Sequence, residues 1–159
     1  MRLLALTTAA VLLSASAALA TPASVNVTIS PELQSKAVKK YGLRDINELA
    51  ASLKKSVESE LNRSGAYDGA KIDLVLADAK PNRPTFKQMG DRPGLSFESF
   101  SIGGAKITGT ATAANGAVTP LAYDWYESDI RWAQYNATWT DAYTTFQRFA
   151  HKLATRKGV

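Results

Sequence analysis

The sequence predicts an α+β fold: a small mixed sheet of about four strands with helices packed on one face. Three observations lead there. Val25, Val27 and Ile29 alternate with Asn26 and Thr28, and Ile72, Leu74 and Leu76 with Asp73, Val75 and Ala77, which is the period of a strand. Ile46, Leu49, Leu53, Val57 and Leu61 recur at helical spacing, and so do Trp139, Ala142, Phe146, Phe149, Ala150 and Leu153. Asn115-Gly116 sits between two strand-like arms and marks a hairpin.

In chain order, the first strand ends at Ser30-Pro31-Glu32, a helix start with a capping hydroxyl, a proline in the first turn and an acid beside it. Leu33, Ala37 and Tyr41 form its apolar line, and Gly42 stops it. Asp45 and Glu48 have the spacing of a capping box at the head of the second helix. That helix ends between Asn62 and Gly65, and the second strand runs to about Ala79. A helix between two strands implies that they run parallel.

Lys80 to Gly94 contains Pro81, Pro84, Pro93, Gly90 and Gly94 and reads as a long loop. The hairpin follows, one arm spanning about Phe97 to Ala113 and the other Val118 to about Glu127. Gly103-Gly104 interrupts the first arm and indicates a bulge or a close backbone approach. Pro120 places the second arm at a sheet edge or bulge. Asn115 and Gly116 are both expected at positive φ. Residues 128–137 read as a linker, and Thr138 with Asp141 as a capping box for the last helix.

The first twenty residues have the pattern of a signal peptide. Arg2 supplies the positive charge, Leu3 to Leu13 the apolar run, and Ala18-Leu19-Ala20 the small-residue cleavage site. The run is about half the ~20 residues a membrane span needs. Cleavage is expected after Ala20, leaving residues 21–159 as one domain in the periplasm or outside the cell. The chain has no cysteine, which excludes disulfides, thiolate metal sites and a covalent lipid anchor. With 19 Lys and Arg against 14 Asp and Glu, interspersed, the charge is a mild bias toward anionic partners.

Catalytic chemistry has little to work with. His151 is the one histidine, off the apolar stripe near a helix end, where a solvated or capping role is expected. Asp124, Glu127 and Asp129 form the best acidic cluster, read as a hard-cation site, a glycosidase-like pair or a solvated strand end. The proline-stiffened stretch through Asn82, Arg83 and Lys87 has two readings. It presents donors to an anion or partner chain at low entropic cost, or Asn82 and Arg83 tie the loop to carbonyls at the sheet end. Most aromatics after Tyr123 are expected in the core, with Tyr126, Trp132 and Tyr135 the exposed members. A helix–three-strand–helix order resembles a double-stranded-RNA-binding domain, but export and a last helix without a lysine-rich start argue against nucleic acid.

Two stretches, PGLSFESFSIGGAKITGTATAANGAVTPLAYD (Pro93 to Asp124) and TWTDAYTTFQRFAHKLA (Thr138 to Ala154), resemble an uncharacterised family of exported bacterial proteins, many of them lipoproteins, known as a domain of unknown function. The resemblance covers about the C-terminal half, and this chain lacks the family's anchoring cysteine. It implies a bacterial origin and an extracytoplasmic compartment, and no reaction.

The expectation is therefore an exported, non-enzymatic binding protein without cofactor or metal. Its partner is an envelope protein or an anionic ligand, engaged through Asn82, Arg83, Lys87, Tyr126 and Trp132. The competing expectation is a carbohydrate-active or other hydrolase using Asp124, Glu127 or Asp129.

Overall fold

A computed structural model describes residues 21–155, so the expected signal peptide lies outside the described residues. Four strands, β1 (Ser24–Ile29), β2 (Lys71–Lys80), β3 (Gly104–Thr112) and β4 (Val118–Tyr126), form one sheet in the order β1-β2-β3-β4. β1 pairs parallel to β2, and the remaining pairs are antiparallel. This is the expected α+β fold with a mixed sheet.

The helices are α1 (Pro31–Lys36), α2 (Leu43–Ser64), α3 (Phe86–Asp91), α4 (Ile130–Ala133) and α5 (Thr140–Thr155), with a π-helical turn, Ala37–Tyr41, continuing α1. Ser30 Oγ accepts from Leu33 N at 3.1 Å, so the predicted cap at the head of α1 forms. The long helices α2 and α5 pack against each other and lie across the same side of the sheet. Ile46, Leu49, Leu53, Val57 and Leu61 of α2 meet Ile72, Leu74 and Leu76 of β2, Ile107 of β3 and Phe146, Phe149 and Leu153 of α5 in a single core. Each fully buried side chain of this size contributes about 1.5–3 kcal/mol of hydrophobic free energy.

The opposite sheet face carries Asn26, Thr28, Asp73, Thr108, Thr110 and Asp124, paired across strands in register. At the other side of β4, Arg148 lies 4.1 Å over the Trp125 ring and Lys152 4.9 Å over Tyr123. Two aromatics of the late cluster are thereby roofed by α5. Pro120 lies in the edge strand β4, where a missing donor costs no ladder bond.

Three local expectations are corrected. Asp45 does not cap α2: Gly42 occupies the cap position without a side-chain bond, and Asp45 Oδ2 accepts from the Trp139 indole at 3.3 Å. The hairpin turn is longer than a two-residue loop. Ala113 to Gly116 closes through Gly116 N to Ala113 O at 2.9 Å, and of the Asn115-Gly116 pair only Gly116 has positive φ. This matches a turn followed by one left-handed glycine, which the same dipeptide also serves. Finally, the stretch after β2 is not all loop, because Thr85 and Gln88 form a reciprocal capping box that starts α3.

Candidate functional site

After a bulge between Leu76 and Asp78, β2 stays paired to Lys80, and the chain then enters the segment 81–85, which faces inward on one flank and outward on the other. The inward flank is a polar knot. Asn82 is completely buried; its N–H donates to Thr138 O at 2.7 Å and its carbonyl accepts from Ser101 N at 2.7 Å. Its side-chain Oδ1 accepts from Asp141 N at 2.9 Å, and its Nδ2 donates to Asp141 Oδ2 at 2.5 Å.

Asp141, 4% exposed, also accepts from Gly103 N at 3.0 Å and from Asn136 Nδ2 at 2.9 Å. A buried carboxylate is tolerable here because these donors and the N-terminus of α5 replace its water. The expected Thr138–Asp141 capping box is absent as a result: Asp141 turns to Asn82, and Thr140 Oγ1 accepts from Ala137 N. A side chain on Gly103 would come within 2.7 Å of Asn82 Oδ1, which explains one glycine of the pair. The other, Gly104, has φ +151 and lies beneath the Tyr126 ring.

Arg83 completes the knot. Nε donates to Asn136 O at 2.6 Å, Nη2 to Gln134 O at 2.6 Å, and Nη1 to Phe97 O. One guanidinium thus staples three loop carbonyls. Of the two readings of this residue, the carbonyl-tying geometry is the one present.

The outward flank is a groove. Lys36, Lys40, Tyr41, Asp78, Lys80 and Gln88 line a cleft of about 280 Å³. It shares Lys40, Pro81, Gln88 and Ser101 with an adjoining cleft of about 220 Å³, which reaches Arg92, Leu95 and Phe100. Asp78 is the one carboxylate among the lining residues, and it is already engaged: Lys36 Nζ lies 2.7 Å from Oδ1, and Tyr126 OH donates to Oδ2 at 3.2 Å. Lys80 and Arg92 have no carboxylate partner among the described residues, and Lys40 only leans on the Tyr41 ring, 5.2 Å from its centre.

The bond to Asp78 pushes the Lys36 ammonium pKa up, so it stays charged. Burial first, then the Asp78 charge, push the Tyr126 phenol well above its ordinary value, and burial raises that of Tyr41. Both phenols remain neutral and offer no base near neutral pH.

Beside the groove stands an exposed aromatic surface. Phe86 is 80% exposed and packs edge-on against Phe97 at 5.5 Å. Trp132 and Tyr135, as expected, are exposed, on the segment whose carbonyls Arg83 holds. Tyr126 is half-buried instead. Lys87 pairs with Asp91 at 2.8 Å, one turn along α3. Of the five residues singled out from sequence, Asn82 and Arg83 lie in the knot, Tyr126 supports the groove floor through Asp78, and Trp132 is exposed on α4, outside the lining of both clefts.

The acidic cluster does local work. Glu127 Oε1 accepts from Ser128 N and Asp129 N, at 2.7 and 3.0 Å. Asp129 caps α4 and pairs with Arg131 at 2.5 Å, which holds its carboxyl below the ordinary range. Asp124 faces Lys106 across the β3–β4 ladder. His151 is exposed, 3.2 Å from Glu60 on α2. No group of three or more His, Cys, Asp or Glu among the described residues could hold a metal ion. No helix among them is long and apolar enough to cross a membrane.

Sequence reasoning missed Lys36 and Lys40 as site residues. Their i, i+4 spacing, each one residue before Ala37 and Tyr41 of the apolar line, was the available signal. No protein-family model matches this chain, and no curated protein matches it significantly.

Proposed function

We propose that this chain is an exported, non-enzymatic binding protein whose ligand is anionic and sits in the groove at the end of β2. The observation that carries the reading is the charge imbalance of the joined clefts: Asp78, the one carboxylate in the lining, is paired with Lys36, which leaves Lys40, Lys80 and Arg92 without a carboxylate partner among the described residues. Cations gathered in a concave, partly desolvated surface raise the local concentration of an anion and strengthen each contact. The proline-flanked backbone at Pro81 and Pro84 holds the lining without further ordering cost.

The extracytoplasmic setting rests on the N-terminal segment and on the two stretches that resemble an exported bacterial family. A hydrolytic role is less well supported. It needs a carboxyl group with a raised pKa next to an ionised one, whereas Arg131 moves Asp129 in the other direction.

The test is thermal denaturation of the protein with pyrophosphate, citrate and oligoglutamate at low and high salt. At least one should raise Tm at low salt, with the rise shrinking as salt increases and vanishing in Lys40→Glu/Lys80→Glu. A ligand at 100 times its Kd would add about 2.7 kcal/mol. No shift with any of the three at low salt would refute the reading.

A further inference from the structure

We infer that the groove's ligand is an acidic, apolar segment of another protein, laid from the lysine-lined cleft across the neighbouring phenylalanines. The inference rests on the anion-binding reading above and adds the partner's chemistry.

Continuity is the first support. The second cleft joins the cationic end, Lys40 and Arg92, to an apolar end at Leu95 and Phe100. Arg83, also in its lining, holds the Phe97 carbonyl, and Phe97 packs on Phe86. The charged surface and the greasy surface are therefore one strip. Exposure supplies the second support. Phe86, Phe97 and Phe100 are 80%, 50% and 47% exposed, and contiguous exposed aromatics next to a charged groove mark interaction surfaces.

The aromatic type decides between partners. A glycan face is normally read by Trp or Tyr, whose polar edges bind hydroxyls as the ring stacks. Tyr41 in the cationic cleft is only 5% exposed, and the exposed rings at the apolar end, Phe86, Phe97 and Phe100, carry no polar edge. Charge complementarity sets the rest: Lys40, Lys80 and Arg92 ask for carboxylates on the partner. The strip is held rigid by the Arg83 staple, so little ordering is lost on docking.

The experiment measures anisotropy of labelled probes on the purified protein. The probes are a short peptide alternating glutamate with leucine, an all-glutamate peptide of equal length, and a polyuronic acid oligomer. The alternating peptide should bind about tenfold more tightly than all-glutamate, equivalent to about 1.4 kcal/mol. Phe86→Ala/Phe97→Ala should erase that advantage without changing all-glutamate binding, because both rings project into solvent. Lys40→Glu/Lys80→Glu should abolish binding of both peptides. Equal binding of the two peptides, or tighter binding of the uronic acid oligomer, would overturn the peptide assignment while leaving the anion site standing. Failure of all three probes would overturn both.

Discussion

The two flanks of segment 81–85 treat polar groups in opposite ways. On the inward flank, Asn82, Arg83 and Asp141 spend their hydrogen bonds on the protein itself. On the outward flank, Lys40, Lys80 and Arg92 hold no carboxylate among the described residues. The comparison teaches that a cation in a prominent loop is informative only once its partners are known. Arg83 is the most conspicuous residue of the loop in sequence, yet it acts as a staple that shapes a surface other residues use.

The contrast can be broken hardest from the inside. Asp141→Ala removes the acceptor for Asn82 Nδ2, Gly103 N and Asn136 Nδ2 together. Leaving those donors in a buried site should cost about 3 kcal/mol or more. Urea denaturation measures it, and Asp141→Asn should recover part of the loss.

Gly104→Ala comes next. Its Cβ would press within 2.6 Å of Tyr126 and force an L-residue to φ +151. A cost of about 2–3 kcal/mol is expected, read from the same denaturation curves. Tyr126 would also be pushed off Asp78.

Arg83→Ala should cost about 1–2 kcal/mol. Its sharper signature is local: amide exchange should accelerate at residues 95–101 and 134–136, the segments the guanidinium staples. Uniform acceleration across the sheet would mean the knot is not a separate unit.

The pH dependence probes the border between the flanks. The Tyr126 phenol has a raised pKa in the folded protein, through burial and then Asp78, and Lys36 is raised mainly by its bond to Asp78. For groups raised on folding, the stabilisation is full below the unfolded values, about 10 for both types, and is lost as pH rises through the folded values. Stability should therefore fall above about pH 10, and Tyr126→Phe should flatten that decline in a pH series of denaturation midpoints.

The smallest stability effect belongs to the outer flank. Lys40→Glu and Lys80→Glu should each change stability by less than about 0.5 kcal/mol, because neither makes an ion pair among the described residues.

The elements of regular period were legible in the sequence. The stripe Ile46 to Leu61 and the stripe Ala142 to Leu153 are buried as the 3.6-residue spacing requires, and β1 and β2 follow the alternation. Tertiary competition hid the rest. Asp45 and Asp141 have capping spacing, but a distant indole and a buried amide outbid the local backbone. The α3 start was written in Thr85 and Gln88 and was masked by the surrounding prolines. The groove was the least legible part. It joins Lys36 and Lys40 from α1 and its π-turn, Lys80 from β2 and Arg92 from beyond α3, and no local pattern records that meeting.

The central claim, that the outer flank is the binding face, is tested most directly by amide chemical shifts of the labelled protein titrated with oligoglutamate. Shifts confined to residues 36–41, 80–88, 92–101 and their neighbours would bear it out. Shifts centred on the lysines of α2, Lys54 and Lys55, or spread evenly over the surface, would contradict it.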